Sequence, residues 1–103
     1  MTLEELKQRC VDAGFKYAYG CFKRPTEPPH LVAISTATDN FMADDKVYLK
    51  KTPIQLDYTY LTKDLEMQNK IEDEILSDIT WNKSDEAYLS DEEIWQVSYF
   101  FEI

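Results

Sequence analysis

Two stretches of alternating apolar and polar residues constrain the fold of this chain more than any other feature. Residues 54–60 place Ile, Leu, Tyr and Tyr at every second position, and residues 95–103 do the same with Trp, Val, Tyr, Phe and Ile. A period of two is that of a β-strand with one buried face. We therefore predict two long, half-buried strands, and we expect the second to be central in its sheet because its inner face is so apolar.

A first helix is predicted over residues 3–13. Thr2 followed by Glu5 forms a capping box, in which each side chain accepts from a backbone N–H at the helix start. Gly14 supplies the left-handed stop. The expected inner stripe has helical spacing and consists of Leu3, Leu6, Cys10 and Ala13.

A second helix is predicted from about Asp64 to Asp78, with Thr62 or Asp64 as its cap. Its outer face is acidic. Its expected inner stripe consists of Leu65, Gln68, Ile71 or Glu72, Ile75 and Ile79, with Leu76 beside it.

The remaining segments predict short strands and one long loop. Strands are expected over 31–35, over 47–49 and over 15–22, where alternation predicts one buried face formed by Phe15, Tyr17, Tyr19 and Cys21. A C-terminal hairpin is expected to join 79–89 to 94–103 through a turn at 90–93. Residues 36–46 have no period and are interpreted as a loop or flap. The order is α-β-β-β-β-α-β-β, which predicts one α+β domain over 1–103, with a mostly antiparallel sheet of about five or six strands and two helices packed on one face.

The charge balance limits the classes of partner. Eleven basic and twenty acidic residues give the 103-residue chain a net charge of −9. Such a field repels phosphate, so we expect no specific nucleic-acid binding. The first residues lack the pattern of a signal peptide, and no apolar run has the length of a membrane helix, so we expect no membrane partner.

Candidate catalytic and metal-binding residues are few. His30 is the only histidine and is interpreted as an ordinary turn residue, because neither a triad nor a zinc site can be assembled around it. Cys10 and Cys21 lack metal-ligand spacing and are interpreted as two buried thiols, with a disulfide or a reactive thiol as alternatives. Loops starting at Asp39 and Asp85 lack the glutamate that an EF-hand needs at its twelfth position. We therefore expect no cofactor, no metal and no enzymatic activity.

Aromatic residues exceed what one small core requires. The chain has seven Tyr, five Phe and two Trp. At least half belong to the core, but several lie at the opposite strand parity or in predicted loops: Phe22, Tyr48, Phe100 and Phe41, with Met42 beside the last. Exposed aromatic side chains are typical of protein-binding surfaces. We therefore predict a protein interface that includes Phe22, Phe41, Met42 and Phe100.

Several segments together carry a resemblance that covers nearly the whole chain. They are the opening MTLEELK, YAYGCF at 17–22 before a proline loop, DNFMADDKVY at 39–48, QLDYT at 55–59, the second helix, and DEEIWQVSYFFEI at 91–103. In these segments the chain resembles a family of small proteins from the head–tail morphogenesis region of long-tailed phages and prophages of Gram-positive bacteria.

That resemblance implies a structural protein of the virion neck, similar to tail terminator (tail completion) proteins. These are small α+β subunits that form a ring, usually sixfold, which caps the tail tube and joins it to the head connector. The implied partners are other copies of the chain, the tail tube protein and the head–tail connector proteins, with assembly in the host cytoplasm. The family has no site motif to carry over. Terminators often have longer inserted loops, so another connector or a minor capsid role stays open.

Two hypotheses follow for a ring subunit. The flap at 36–46 could reach a neighbour, with Phe41 and Met42 as anchors. A bore through which DNA passes benefits from carboxylates, which repel phosphate. The candidates for that acidic lumen are Asp85, Glu86, Asp91, Glu92 and Glu93, or else the acidic face of the second helix.

Two other classes of function remain open. An acidic inhibitor or DNA mimic, of the anti-restriction or anti-CRISPR type, suits the size and charge, but its acids should form one continuous face. Here the acids are interleaved with lysines. A small enzyme or ligand-binding domain would need a deep pocket converging on His30 or Cys21.

Overall fold

A computed structural model describes residues 1–36, 41–43, 46–49 and 51–103, and for 41–43 and 46–49 it describes the backbone alone. It confirms the α+β class and the predicted order of elements. The elements are α1 (Leu3–Asp12), β1 (Lys16–Tyr19), β2 (His30–Ser35), β3 (Phe41–Ala43), β4 (Lys46–Leu49), β5 (Pro53–Tyr60), α2 (Leu65–Lys70) with a π-helical turn (Ile71–Ile75), β6 (Asn82–Lys83), β7 (Ala87–Leu89) and β8 (Ile94–Glu102).

The main sheet has six strands in the order β1-β2-β5-β8, with β6 and β7 both paired to the far side of β8. β1 and β2 are parallel, and the other pairs are antiparallel. The longest ladder joins β5 to β8, from Pro53 opposite Glu102 to Tyr60 opposite Trp95. β8 is therefore central, as its alternation predicts.

The core lies between one face of this sheet and the two helices. Alternate residues of β5 and β8 point into it, and Leu56, Tyr58 and Tyr99 are almost completely buried. Leu6 of α1 and Ile75 of the π-helical turn belong to the same cluster. Burying each such side chain stabilises the fold by about 1.5–3 kcal/mol. Both helices thus cover the same face, and among the described residues no helix lies on the opposite face.

Helix α1 begins and ends as its sequence predicts. The Thr2 hydroxyl accepts from the N–H of Glu5 at 3.1 Å. Gly14 adopts a φ of +90°, which lets the N–H of Phe15 donate to the carbonyl of Cys10 at 3.0 Å in a Schellman motif. The predicted stripe is wrong at its first residue, because Leu3 is 38% exposed.

Helix α2 is shorter than predicted, because its second half is π-helical. Asp64 is the cap and accepts from the N–H of Glu66 at 3.0 Å. The N–H of Leu76 donates to the carbonyl of Ile71 at 3.0 Å, the i→i+5 bond of a π turn. The wider turn places both of these residues in the core. Leu65 is 63% exposed, so the prediction that it faces the core is wrong.

Strand β1 ends three residues earlier than predicted. Gly20 adopts a φ of +82°, which an extended strand cannot continue through. Tyr19 is consequently 50% exposed at the end of the strand, and Cys21 is exposed beyond it. The prediction of two buried thiols is therefore wrong for Cys21 and confirmed for Cys10, and both are free.

The predicted loop at 36–46 is wrong in part, because residues 41–43 form β3, which pairs antiparallel with β4 in a separate two-stranded sheet. We call residues 36–52, which include β3 and β4, the hairpin arm. Its base is fixed to the main sheet, since the N–H of Thr36 donates to the carbonyl of Pro53 at 3.1 Å and Thr52 pairs with Ile103. The molecule measures 49 × 28 × 27 Å, and its radius of gyration of 14.8 Å exceeds the about 13 Å of a compact domain of this length.

Candidate interaction surfaces

The face of the sheet that the helices leave uncovered is polar at its centre. Asp57 of β5 lies opposite Ser98 of β8. The Ser98 hydroxyl donates to Oδ1 of Asp57 at 2.6 Å, and Nε2 of Gln55 donates to the same oxygen at 2.9 Å. Because these half-buried groups satisfy one another, the centre of this face does not require an apolar cover.

Phe100 lies at the end of the same uncovered face. It is 41% exposed and stands opposite Asn82 of β6. It also borders an open cleft of about 610 Å³, whose other walls come from the base of the hairpin arm and from residues 78–80. The parity prediction that Phe100 lies outside the core is met, and its role in an interface stays a prediction.

Phe22 is half-buried against His30. The two rings meet edge to face with centroids 5.0 Å apart. His30 is the first residue of β2 and not a turn residue, and burial, assisted by the nearby Lys16 charge, lowers its pKa. Phe22 is thus partly covered by His30, and its predicted interface role stays a prediction. The side chains of Phe41 and Met42 lie outside the described part of the chain, so their predicted interface role stays a prediction.

A second, smaller cleft of about 310 Å³ lies between the proline loop and the start of α2. Its walls include Pro29, Met67 and the stacked rings of Tyr58 and Tyr60, whose centroids are 4.9 Å apart. Burial raises the pKa of Tyr58 to about 12. Neither this cleft nor the larger one is lined by His30 or Cys21, so the pocket that the enzyme alternative requires is not formed by these two clefts.

The five acids predicted to line a lumen all lie at the β7 end of the sheet, in two groups. Asp85 and Glu86 precede β7, whereas residues 91–93 form the turn that follows it. The three residues of β7 separate the groups by about 10 Å of strand. Glu86 forms an ion pair with Lys63, and this contact lowers the pKa of the Glu86 carboxyl. The turn acids are exposed, and no ion pair involves them within the described residues.

The opposite end of the sheet is basic. Residues 15–26, which include β1, carry Lys16, Lys23 and Arg24 and no acidic residue. Lys16 Nζ donates to the main-chain carbonyl of Glu27 at 2.8 Å. Lys23 and Arg24 are exposed. The sequence interpretation missed this separation of charge because it depends on the strand order and not on the order of residues in the chain.

Apolar side chains are also exposed at the two ends of the sheet. Tyr19 is 50% exposed on β1. At the other end Tyr88 is 49% exposed, and its ring contacts that of Trp95 with centroids 5.0 Å apart. Alternation predicted that Tyr19 and Trp95 are buried, but both lie at strand ends, where no helix covers them.

Within the part of the chain that the structure describes, no cluster of three or more His, Cys, Asp or Glu side chains could hold a metal ion. In the same residues, neither helix has the length and apolar character needed to cross a membrane.

No protein-family model matches the chain, and no curated protein sequence matches it significantly. The resemblance to neck proteins therefore rests on the sequence segments quoted above, and the function drawn from it is a proposal.

Proposed function

We propose that this protein is a structural subunit of a phage neck, similar to tail terminators, which assembles with other copies into a ring that caps the tail tube and joins it to the head connector. The observation that carries this proposal is the hairpin arm. An isolated two-stranded hairpin is marginally stable in water. An arm whose strands β3 and β4 form their own sheet gains stability when it lies on a neighbouring subunit.

The strand order supports assembly into a ring. β1 and β7 lie at opposite ends of the sheet, so the two ends present different surfaces. Contacts between unlike surfaces are heterologous, and they generate closed rings when the rotation between copies closes. Two unlike ends of this kind support the proposal of a ring subunit with one neighbour at each end.

The net charge of −9 fits a ring through which DNA passes, because carboxylates repel phosphate and prevent adhesion. The predicted lumen acids are exposed at one end of the sheet, with Glu86 neutralised by Lys63. The alternative lumen surface, the outer face of α2 and its π-helical turn, exposes Glu66, Asp73 and Glu74. Both surfaces stay candidates for the bore.

The acidic-inhibitor alternative has less support. A mimic of nucleic acid needs unpaired acids in a continuous row. Here Arg9 pairs with Asp78, Lys63 with Glu86 and Lys83 with Glu72. Each ion pair interrupts the acidic surface with a cation, which disfavours binding in a basic nuclease groove.

The test is deletion of the gene from the phage or prophage that encodes it, followed by electron microscopy of the lysate. We expect filled heads and tails that are present but unjoined, with the defect reversed by the wild-type gene supplied in trans. A variant that lacks the hairpin arm should not reverse it, whereas a Leu61→Ala variant, which truncates an exposed side chain, should.

Normal, joined virions after deletion would contradict a neck role. Empty heads with normal tails would instead favour the alternative of another connector or minor capsid protein. The neighbouring genes give an independent check, because a terminator gene is expected between genes for the connector and for the major tail protein.

A further inference from the structure

The two ends of the main sheet carry opposite charge, and this relationship identifies the surfaces that meet in the assembly. We define the basic edge as β1 together with Lys23 and Arg24 of the connection that follows it, and the acidic edge as β7 together with Asp91 and Glu92 of the turn that follows it. Since the strand order runs from β1 to β7, the width of the sheet separates these edges within one molecule. They cannot neutralise each other in the monomer.

We propose that the acidic edge of one copy docks on the basic edge of the next, in a repeated head-to-tail contact. The inference rests on the proposed function, in that it names the surfaces through which the ring subunits would associate. It assigns Asp91 and Glu92 to that contact, which leaves the outer face of α2 as the candidate surface for the bore. The occupant of each edge is a second copy of this chain, because the complementary charge is present at the other end of the same sheet.

The basic edge is available for such a contact. In the described part of the chain, β1 pairs with β2 and no strand pairs with its other side, so its outer N–H and C=O groups face outward. Tyr19 adds an exposed aromatic ring to this edge. Helix α1, which contacts β1, carries Glu4, Glu5 and Asp12 against Lys7 and an Arg9 that is paired with Asp78, so the positive charge of this edge comes from residues 16–24 alone.

The acidic edge is available for the same reason. β7 pairs with β8 on one side, and in the described residues no strand pairs with the other. The two nearest lysines are already engaged, Lys63 with Glu86 and Lys83 with Glu72. The charges of Asp91 and Glu92 therefore remain for an external cation. Tyr88 supplies an exposed ring of the kind that anchors protein interfaces.

The proposed contact between the edges combines electrostatic steering with the burial of a small apolar area. Exposed ion pairs contribute little each, so the charges chiefly select the partner edge and its orientation, while the aromatic rings supply contact area. A basic edge repels another basic edge, and an acidic edge repels another acidic edge. These repulsions disfavour the symmetric two-fold dimer that would end growth of a ring.

Charge reversal tests the proposal with two variants of the purified protein. The first is Lys23→Glu/Arg24→Glu, which makes both edges acidic, and the second is Asp91→Lys/Glu92→Lys, which makes both edges basic. Lys16 and Glu93 are left unchanged, because Lys16 is hydrogen-bonded to a main-chain carbonyl and Glu93 has a φ of +56°. Sedimentation velocity over a range of concentration and salt measures self-association, and circular dichroism confirms folding.

We expect the wild type to associate at high concentration and less so at high salt. Each variant alone should sediment as a monomer, and an equimolar mixture of the two should associate again, since every contact in it joins an acidic edge to a basic one. The control reversals Lys7→Glu/Lys70→Glu and Asp73→Lys/Glu74→Lys change exposed charges on the helices, and they should associate like the wild type.

The proposal is overturned if the wild type stays monomeric, if either edge variant associates as the wild type does, or if the mixture stays monomeric. These results are separable from the test of the neck role. Loss of the edge contact together with unjoined particles after gene deletion would remove this inference and leave the neck role standing. Association through the edges, together with normal particles after gene deletion, would leave the edge contact standing and remove the neck role.

Discussion

The hydroxyl of Tyr99 donates a hydrogen bond of 2.8 Å to Oε2 of Glu72, and so fastens the central strand β8 to the π-helical turn. Nζ of Lys83, on the neighbouring β6, donates to the same oxygen at 3.0 Å. Tyr99 is completely buried. The half-buried carboxylate of Glu72 therefore connects the central strand β8, the π-helical turn and the short strand β6.

We expect Tyr99→Phe to lower the free energy of unfolding by about 1.5–3 kcal/mol, because a buried hydrogen bond to a charged acceptor is lost while the ring still fills its site. Urea denaturation followed by circular dichroism measures the change. Tyr88→Phe is the matched control, since Tyr88 is 49% exposed, and it should change stability by less than about 0.5 kcal/mol. Equal effects of the two substitutions would contradict the structure.

Alkaline pH is expected to destabilise the fold. Burial raises the pKa values of Tyr17, Tyr60 and Tyr99, and that of Tyr58 to about 12. In the unfolded chain tyrosine ionises near pH ~10, so above that pH the unfolded state binds fewer protons than the folded state, and stability falls as pH rises. The slope is at most about 1.4 kcal/mol per pH unit for each such group.

Urea denaturation between pH 8 and pH 11 measures this loss. Tyr99→Phe should show a shallower decline than the wild type, because one of the groups that ionise in the unfolded chain is gone. Stability that stays constant up to pH 11 would show that the tyrosines are not buried as described.

The two cysteines should differ in reactivity. Cys10 is completely buried, and burial raises its pKa to about 12, whereas Cys21 is exposed. Thiolate is the reactive form, so a disulfide reagent should label one thiol per native molecule and two after unfolding. Cys21→Ser should abolish native labelling, and Cys10→Ser should leave it unchanged. Rapid labelling of Cys21→Ser in the native state would contradict the burial of Cys10.

The helical stripe can be checked with a pair of truncations. Ile75 is completely buried and Leu65 is 63% exposed, although the sequence pattern placed both in the core. Ile75→Ala should cost about 2–5 kcal/mol of stability, because it leaves a cavity. Leu65→Ala should cost less than about 1 kcal/mol, because its side chain is mostly exposed. Similar costs for the two variants would contradict the π-helical turn and would support the regular helix that the sequence predicted.

The hairpin arm should be dispensable for folding and necessary for assembly. Replacing residues 38–51 with Asn-Gly closes a tight turn between strands that are already in register, since Ser35 lies opposite Ile54. We expect thermal unfolding close to that of the wild type, together with failure to complement the gene deletion. An unfolded variant would show instead that the arm is part of the folding unit.

Sequence periodicity predicted most of the main sheet and the core. The alternation at 54–60 and at 95–103 identified the longest ladder and the buried faces of β5 and β8. Local signals located both ends of α1, because Thr2 and Gly14 act through neighbouring backbone groups. Features that depend on the period of apolar residues or on a capping residue can be predicted from a single sequence.

Features that depend on the tertiary arrangement were not predicted. The π-helical turn buries both Leu76 and Ile71, and no local sequence pattern predicts it. β1 and β2 are parallel because the proline loop brings the chain back from the end of β1 to a position beside its start. Gly20 ends β1 through its positive φ, which an alternating sequence pattern does not reveal. The charge separation between the edges needs the strand order, in which β1 and β7 are furthest apart.

The central position of β8 has a consequence for synthesis of the protein. β8 follows every other element that the structure describes, yet it pairs with β5 along the full length of β5. A ribosome therefore releases β2, β5 and both helices before the strand that completes their core, and β5 meanwhile exposes an unpaired edge and an apolar face. Nascent chains that await their last strand are the species that chaperones would have to shield.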